Sequence, residues 1–245
     1  MDNTKTVKQR IRDGDVVVAL RVFFDYDRGQ LEDALGKGTY DLIYVDGQHG
    51  AFTDERLVEF SGMVHELGLP VQFRIPHTRH TYLIGRYLDM GLSAILVPEV
   101  VEQETVAEAI AYTYYPQMGR RSWGGAARRG QEQWAGSVDR LEYAAWWNDT
   151  VVLAIQLESV AAITRAGQLI RPGVDYVAFG PNDLLFNLEG HPNFPLQSVD
   201  DCMRNVAEQL QGTGVRLGMA VTTTPEEREP YLKMGITVFQ EAPRS

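Results

Sequence analysis

One pattern repeats along the chain and limits what it can fold into. A short apolar run, rich in β-branched residues and bounded by Gly, Pro or Asp, is followed by a longer amphipathic segment. The runs are Val16–Val22, Leu42–Val45, Val71–Arg74, Ala94–Val97, Val151–Leu157, Tyr176–Phe179, Arg216–Val221 and Ile236–Phe239. Such runs read as strands buried on both faces, as in a parallel sheet. Helical patterns lie between them. In 54–67 the residues Leu57, Phe60, Val64 and Leu67 recur at spacings of three and four, with Thr53 placed as N-cap. The segment 82–90 ends at Gly91, a C-cap signal, and 101–114, 159–170, 199–210 and 225–234 continue the theme. The last opens on Thr224-Pro225, a helix start.

Eight strands alternating with helices in 245 residues predict a (β/α)8 TIM barrel, with 1–245 as one domain. A doubly wound open sheet is the competitor. It would use fewer strands and carry a phosphate loop after the first, where this chain has Phe23-Phe24-Asp25-Tyr26-Asp27. Gly212-Thr213-Gly214 precedes a strand, and Gly124-Gly125 with Gly130 also lacks the context of a dinucleotide fingerprint.

Composition narrows the function. Hydrophobic residues are 44% and charged residues 23%, which excludes disorder, collagen-like structure and a disulfide scaffold. A formal charge of −10 disfavours a nucleic-acid binder but leaves room for a local basic pocket. The single Cys202 fits a reducing cytoplasm. The first residues lead into charge and predict no signal peptide. No stretch approaches the roughly 18 apolar residues of a membrane span.

One segment breaks the rhythm. Residues 115–137 carry Pro116, five glycines (Gly119, Gly124, Gly125, Gly130 and Gly136) and Arg120, Arg121, Arg128 and Arg129. It reads either as a surface excursion or as part of the site, because it follows strand four, on the face where barrels keep their chemistry.

Polar residues at the carboxyl ends of barrel strands are the catalytic candidates. They are Asp46-Gly47-Gln48-His49-Gly50, Arg74, Pro98-Glu99, Gln156-Leu157-Glu158-Ser159 and Gly180-Pro181-Asn182-Asp183. Glu158 and Asp183 each could be an ordinary acid at a helix start, meeting the dipole. Converging in one pocket they would repel, so that one must protonate or a hard divalent cation must sit between them. Ligation is the favoured reading. His65, His77 and His80 show no zinc-like cluster and read as solvent or packing residues. His49 lies three residues after Asp46, and an imidazole held by a carboxylate suits general acid–base work. Arg74 is either half of a structural ion pair or a clamp on an oxyanion or carboxylate. No strand end before the last carries a lysine for a Schiff base.

Taken in order, Asp46-Gly47-Gln48-His49-Gly50, Arg74 with Pro76, Leu88-Asp89-Met90-Gly91, Val97-Pro98, Tyr115-Pro116 with Gly119 and Arg121, Gln156-Leu157-Glu158 and Gly180-Pro181-Asn182-Asp183-Leu184 resemble the HpcH/HpaI family over roughly residues 10–235. These are class II pyruvate aldolases such as 2,4-dihydroxyhept-2-enedioate and 2-keto-3-deoxy-sugar-acid aldolases. The resemblance implies a lyase that reversibly cleaves a 4-hydroxy-2-oxo acid to pyruvate and an aldehyde. A Mg, Mn or Co ion would be held by Glu158 and Asp183. Gln156 would lie beside the ion, and amides near Gly180, Pro181, Asn182 and Asp183 would hold the substrate carboxylate. Arg74 would stabilise the enolate oxygen, and His49, oriented by Asp46, would move protons. Asp89 would sit at a subunit interface near the site, and Arg120 or Arg121 could read a distal acid group on the aldehyde. The family commonly forms hexamers of paired trimers, so a cytoplasmic homo-oligomer, hexamer or trimer, is expected.

The sequence departs from many relatives at Gln48 (often Glu), Asn182 (often small) and Leu185 (often Ser), beside the site where substrate choice is set. It also ends without the final glycine-rich turn and helix usual in relatives. Two alternatives share the site: oxaloacetate decarboxylation, or another reaction of the same enolate, and a non-catalytic protein that binds 2-oxo acids.

Overall fold

The apolar runs pair edge to edge into a closed parallel barrel. The structure is a computed structural model that describes residues 5–124, 129–130 and 139–244. Its strands are β1 (Val17–Arg21), β2 (Leu42–Asp46), β3 (Val71–Arg74), β4 (Ala94–Val97), β5 (Val152–Leu157), β6 (Tyr176–Phe179), β7 (Arg216–Ala220) and β8 (Ile236–Glu241). Each bonds to the next and β8 returns to β1, so no sheet edge is left open. The expected (β/α)8 barrel is therefore the observed fold, and every expected run coincides with a strand to within two residues.

Strand side chains alternate, so one parity of each strand points into the barrel. Val17 and Ala19, Leu42 and Tyr44, Ala94 and Leu96, Val152 and Ala154 and their counterparts on β6 and β8 form the inner core. The opposite parity, such as Val18, Ile43, Phe73 and Ile95, packs against the helices as a second, larger core. A helix at Val7–Asp13 closes the amino end by placing Ile11 against the inner core. Its Lys8 is fully buried and donates to Asp175 Oδ2 at 2.8 Å, the Val151 carbonyl at 2.7 Å and the Tyr114 hydroxyl at 2.8 Å.

Two expected helices are less regular than their periodicity suggests. Residues 159–170 divide into Val160–Thr164 and Ala166–Leu169. Residues 225–234 form a 3-10 turn (Glu226–Arg228) followed by a helix at Glu229–Lys233. Pro230 causes the second break, because a residue without an N–H fits the first turn of a helix and not its interior.

The arginine- and glycine-rich segment is placed differently from the expectation. It follows the helix Gln103–Thr113 and not β4 itself, and a helix returning from β4 ends at the amino face of the barrel. The Arg120 amide bonds the Ala111 carbonyl and the Arg121 amide the Tyr114 carbonyl, which ties the start of the segment to that helix end. Gly125, Arg128 and Gly136 lie outside the described residues.

Candidate active site

Continuing the inward parity one step toward the carboxyl ends changes the chemistry. Above the apolar layers come Arg21 on β1, Asp46 on β2, Arg74 on β3, Gln156 on β5 and Gln240 on β8, with Gly180 just past β6. These residues, with His49, Pro181, Asn182 and Asp183, line a cavity of about 370 Å³ at the barrel mouth.

Asp46 and Arg74 are cross-strand neighbours in register. Arg74 Nε donates to Asp46 Oδ1 at 2.7 Å, and a second guanidinium nitrogen closes on Oδ2. Its remaining nitrogen donates to Gln156 Oε1 at 3.2 Å. Burial alone would raise the Asp46 pKa, but the hydrogen bonds and charge of Arg74 outweigh it and hold the carboxyl below its usual range. Arg74 is thus fixed and charged, with its fork aimed into the mouth.

This pairing corrects the expected role of Asp46. It does not hold the His49 imidazole. Arg74 occupies both of its oxygens, and its contacts toward the following turn are to backbone amides, including Gln48 N–H at 2.9 Å. A neighbour in register across the sheet has displaced a neighbour in sequence. His49 itself is exposed at the cavity rim.

Glu158 lies one step beyond Gln156 on the same parity and is 7% exposed. Its Oε2 accepts from Gln156 Nε2 at 2.5 Å and its Oε1 from the Glu99 amide at 3.1 Å. Glu99 adopts a left-handed backbone (φ 51°), a conformation that costs a non-glycine residue about 1 kcal/mol or more. The same residue holds Gln48, whose amide donates to Glu99 Oε1 at 3.1 Å. Gly180 packs directly on Glu158, since a Cβ there would stand 2.1 Å from Glu158 Oε2 and 2.5 Å from Gln156 Nε2.

Asp183 enters from the helix Pro181–Glu189, which starts at Gly180 with Pro181 in its first turn. Burial, and then the negative charge of Asp183, push the Glu158 pKa up to about 7. Two carboxylates in mutual repulsion, one of them buried, are the environment that a bound cation relieves. Among the described residues no group of three or more His, Cys, Asp or Glu side chains could hold a metal. A hard divalent ion at Glu158 and Asp183 would have to draw its other ligands from water or substrate.

Asp89 and Arg121 do not join the mouth of their own chain. Arg121 is 2% exposed, donates to Asp89 at 2.6 Å, and lies over the rings of Tyr115 and Trp147. Asp89 ends the helix Ile84–Asp89, which places the pair at the amino face. Arg121 is therefore unable to read a substrate in this chain's own pocket. Of the departures from relatives, Asn182 lines the mouth, whereas Leu185 is half exposed on the outer side of its helix. A larger cavity of about 570 Å³, bordered by Arg10, Tyr40, Asp41 and Ser93, opens at the amino face, away from the strand ends that carry the polar layer.

The sequence reading missed Arg21, Gln240 and the Glu99 amide. The first two had a signal: a polar residue at the inward parity of an otherwise apolar strand, at its carboxyl end. The role of the Glu99 amide had none, because a backbone N–H is the same in every non-proline residue.

A closed (β/α)8 barrel that collects an arginine, a histidine and several carboxylates at the carboxyl ends of its strands defines a barrel enzyme. The family profile described as HpcH/HpaI aldolase/citrate lyase matches residues 22–242. The 2-keto-3-deoxy-L-rhamnonate aldolase of Escherichia coli O6:K15:H31 (strain 536 / UPEC) is 26% identical over 239 residues, covering 95% of this chain and 84% of that protein. An HpcH/HpaI aldolase from Desulfitobacterium hafniense DCB-2 superposes with a TM-score of 0.81 at 24% identity, over 97% of this chain and 90% of that one. The citrate synthase SbnG does so with a TM-score of 0.78 at 21% identity, over 98% and 91%. The chain belongs to the HpcH/HpaI aldolase/citrate lyase family, and its class of chemistry is that of carbon–carbon lyases.

Proposed function

We propose that the protein is a divalent-metal-dependent aldolase that reversibly cleaves a 4-hydroxy-2-oxo acid to pyruvate and an aldehyde. The observation that carries this reading is Glu158 packed against Gly180 and within the influence of the Asp183 charge, with Asp183 and the Arg74 fork lining the same mouth. A divalent ion bound there supplies Lewis acidity to the oxygens of a 2-oxo acid. Glu158 and Asp183 hold that ion. Gln156 and the Glu99 amide keep the Glu158 carboxylate in place. The first amides of the helix Pro181–Glu189 lack helical partners and face an anion favourably, so those of Asn182 and Asp183 receive the substrate carboxylate.

Cleaving the bond between C3 and C4 leaves negative charge on the oxygen at C2. Arg74, held rigidly by Asp46, places a guanidinium where that charge develops and needs no reorganisation to do so. His49 at the rim takes the proton from the C4 hydroxyl during cleavage and returns it during addition. Homo-oligomeric assembly belongs to the same reading, supported by Leu185 and Phe186 standing 48% and 77% exposed on the helix beside the mouth. A cytoplasmic setting is supported by the buried free thiol of Cys202.

The test is chelation. Activity in releasing pyruvate from 2-keto-3-deoxy acids is expected to vanish after EDTA and to return with Mg, Mn or Co. Full activity after metal removal would refute the metal's role. A related expectation concerns Gly180→Ala, whose new methyl would displace Glu158 and Gln156. Manganese affinity, read by titration calorimetry, is expected to fall about 10- to 100-fold, and an unchanged affinity would show that Gly180 does not set the ligand's position.

A further inference from the structure

Tyr44 is a mouth residue that the proposed reaction does not use. It lies on β2 at the inward parity, one step below Asp46, with Arg21 and Gln72 as its neighbours in register. Its ring packs in the inner core, and it lines the mouth cavity with Leu96 and Ala178, so its hydroxyl stands at the floor. Only 3% of the residue is exposed. That hydroxyl has no hydrogen-bond partner among the described residues. The groups nearest to serving it are engaged elsewhere. The Tyr176 hydroxyl is bonded by both ends of the Gln72 amide, at 2.7 and 2.9 Å, and by Gln240. Asp46 gives its oxygens to Arg74 and to turn amides. A buried phenol without an acceptor is costly and points to a ligand atom that completes it.

The surroundings of the phenol select that atom. Burial pushes its pKa up by more than the charge of Arg74 draws it down, so Tyr44 stays protonated and donates. Of the charged groups around it Arg74 acts most strongly, so guanidinium and phenol serve one region of the cavity. Leu96 and Ala178, beside it on the floor, have side chains that offer no acceptor. An oxyanion accepts more than one hydrogen bond, and preorganised sites aim several donors at it.

We propose that Tyr44 is a second donor to the substrate oxygen at C2, acting beside Arg74 as negative charge develops there. This rests on the aldolase reading, which supplies the enolate. The two donors differ in kind. Arg74 brings a full charge held in place by Asp46. Tyr44 brings a neutral O–H, whose bond to a ketone oxygen is ordinary and whose bond to an enolate oxygen is about twice as strong. Its contribution therefore falls mainly on the transition state and on the enolate, and little on the bound keto acid.

Tyr44→Phe removes the hydroxyl and keeps the ring. The magnesium-loaded protein and this variant are titrated calorimetrically with pyruvate and with oxalate, a planar dianion that resembles the enolate of pyruvate. Exchange of the pyruvate methyl protons in heavy water is followed by NMR on the same samples. In the variant, oxalate affinity is expected to fall about tenfold and pyruvate affinity to stay within about twofold. Methyl exchange should slow about 10- to 100-fold. The melting temperature should be unchanged or higher, since the hydroxyl that is lost had no protein partner. A clear fall in melting temperature would make the hydroxyl structural and overturn the proposal. Equal weakening of pyruvate and oxalate would also overturn it, because Tyr44 would then grip the ground state. Slower exchange with unchanged oxalate affinity would place Tyr44 at the C3 proton and refute its role at the oxygen. If the unaltered protein shows neither magnesium-dependent oxalate binding nor methyl exchange, the aldolase reading fails and this proposal falls with it. Normal binding and exchange in both proteins would refute the role of Tyr44 alone.

Discussion

Glu158→Gln is expected to lower divalent-metal affinity by about 100-fold or more and to remove most turnover, while leaving the metal-free barrel as stable as before or more so. The two effects have one cause. Glu158 is buried, and its pKa is raised to about 7 by that burial and by Asp183. Carrying a charge there is therefore unfavourable until a cation arrives. Glutamine keeps the shape and the acceptor oxygen that meets the Glu99 amide, but it loses the charge that attracts the ion. Manganese titration calorimetry and thermal melts of the metal-free proteins separate the two. Undiminished metal affinity would remove Glu158 from the ligand set. A large fall in melting temperature would make it a structural residue.

Arg74→Ala is expected to lower kcat by about 10²- to 10³-fold, as removal of one preorganised oxyanion donor does elsewhere. The substitution also strands Asp46, whose oxygens lose their partners, so some stability is lost with it. Arg74→Lys resolves the ambiguity. It keeps a positive charge beside Asp46 but cannot reproduce the fork that spans Asp46 and Gln156. Steady-state kinetics and urea denaturation should show stability largely restored and turnover still depressed. Recovery of both would mean that charge alone suffices, and loss of stability in proportion to turnover in both variants would make Arg74 a structural ion pair.

The barrel was legible because its strands are buried on both faces, so each appears as an apolar run that needs no partner to be recognised. The helices were less so. Val7–Asp13 and Arg28–Gly36 went unread although each opens on a capping box, Thr6 with Gln9 and Asp27 with Gln30. Their short lengths give periodicity little to work on. The misplacement of residues 115–137 has a similar origin: the chain after β4 was counted as one excursion, when the intervening helix carries it to the opposite face.

At the site, the sequence pointed to the strand ends and to Glu158, Asp183, Arg74 and His49, because polar residues interrupt apolar runs there. It could not reveal who pairs with whom. Asp46 and His49 are close in the chain, yet register sets Asp46 against Arg74 on the next strand. Asp89 and Arg121, far apart in sequence and drawn toward the mouth by family resemblance, find each other at the amino face. Arg21 was concealed inside a strand, where a single charge at the end of Val17–Arg21 reads as a boundary until the inward parity is known.

The central claim is that Glu158 and Asp183 grip one cation that in turn receives a keto acid. Anomalous diffraction from crystals soaked with manganese and pyruvate addresses it without an assay. The expected map holds a single manganese peak touching one oxygen from each side chain, with pyruvate lying between that peak and Arg74. Crystals in which the two carboxylates diverge and no manganese peak lies between them would contradict it.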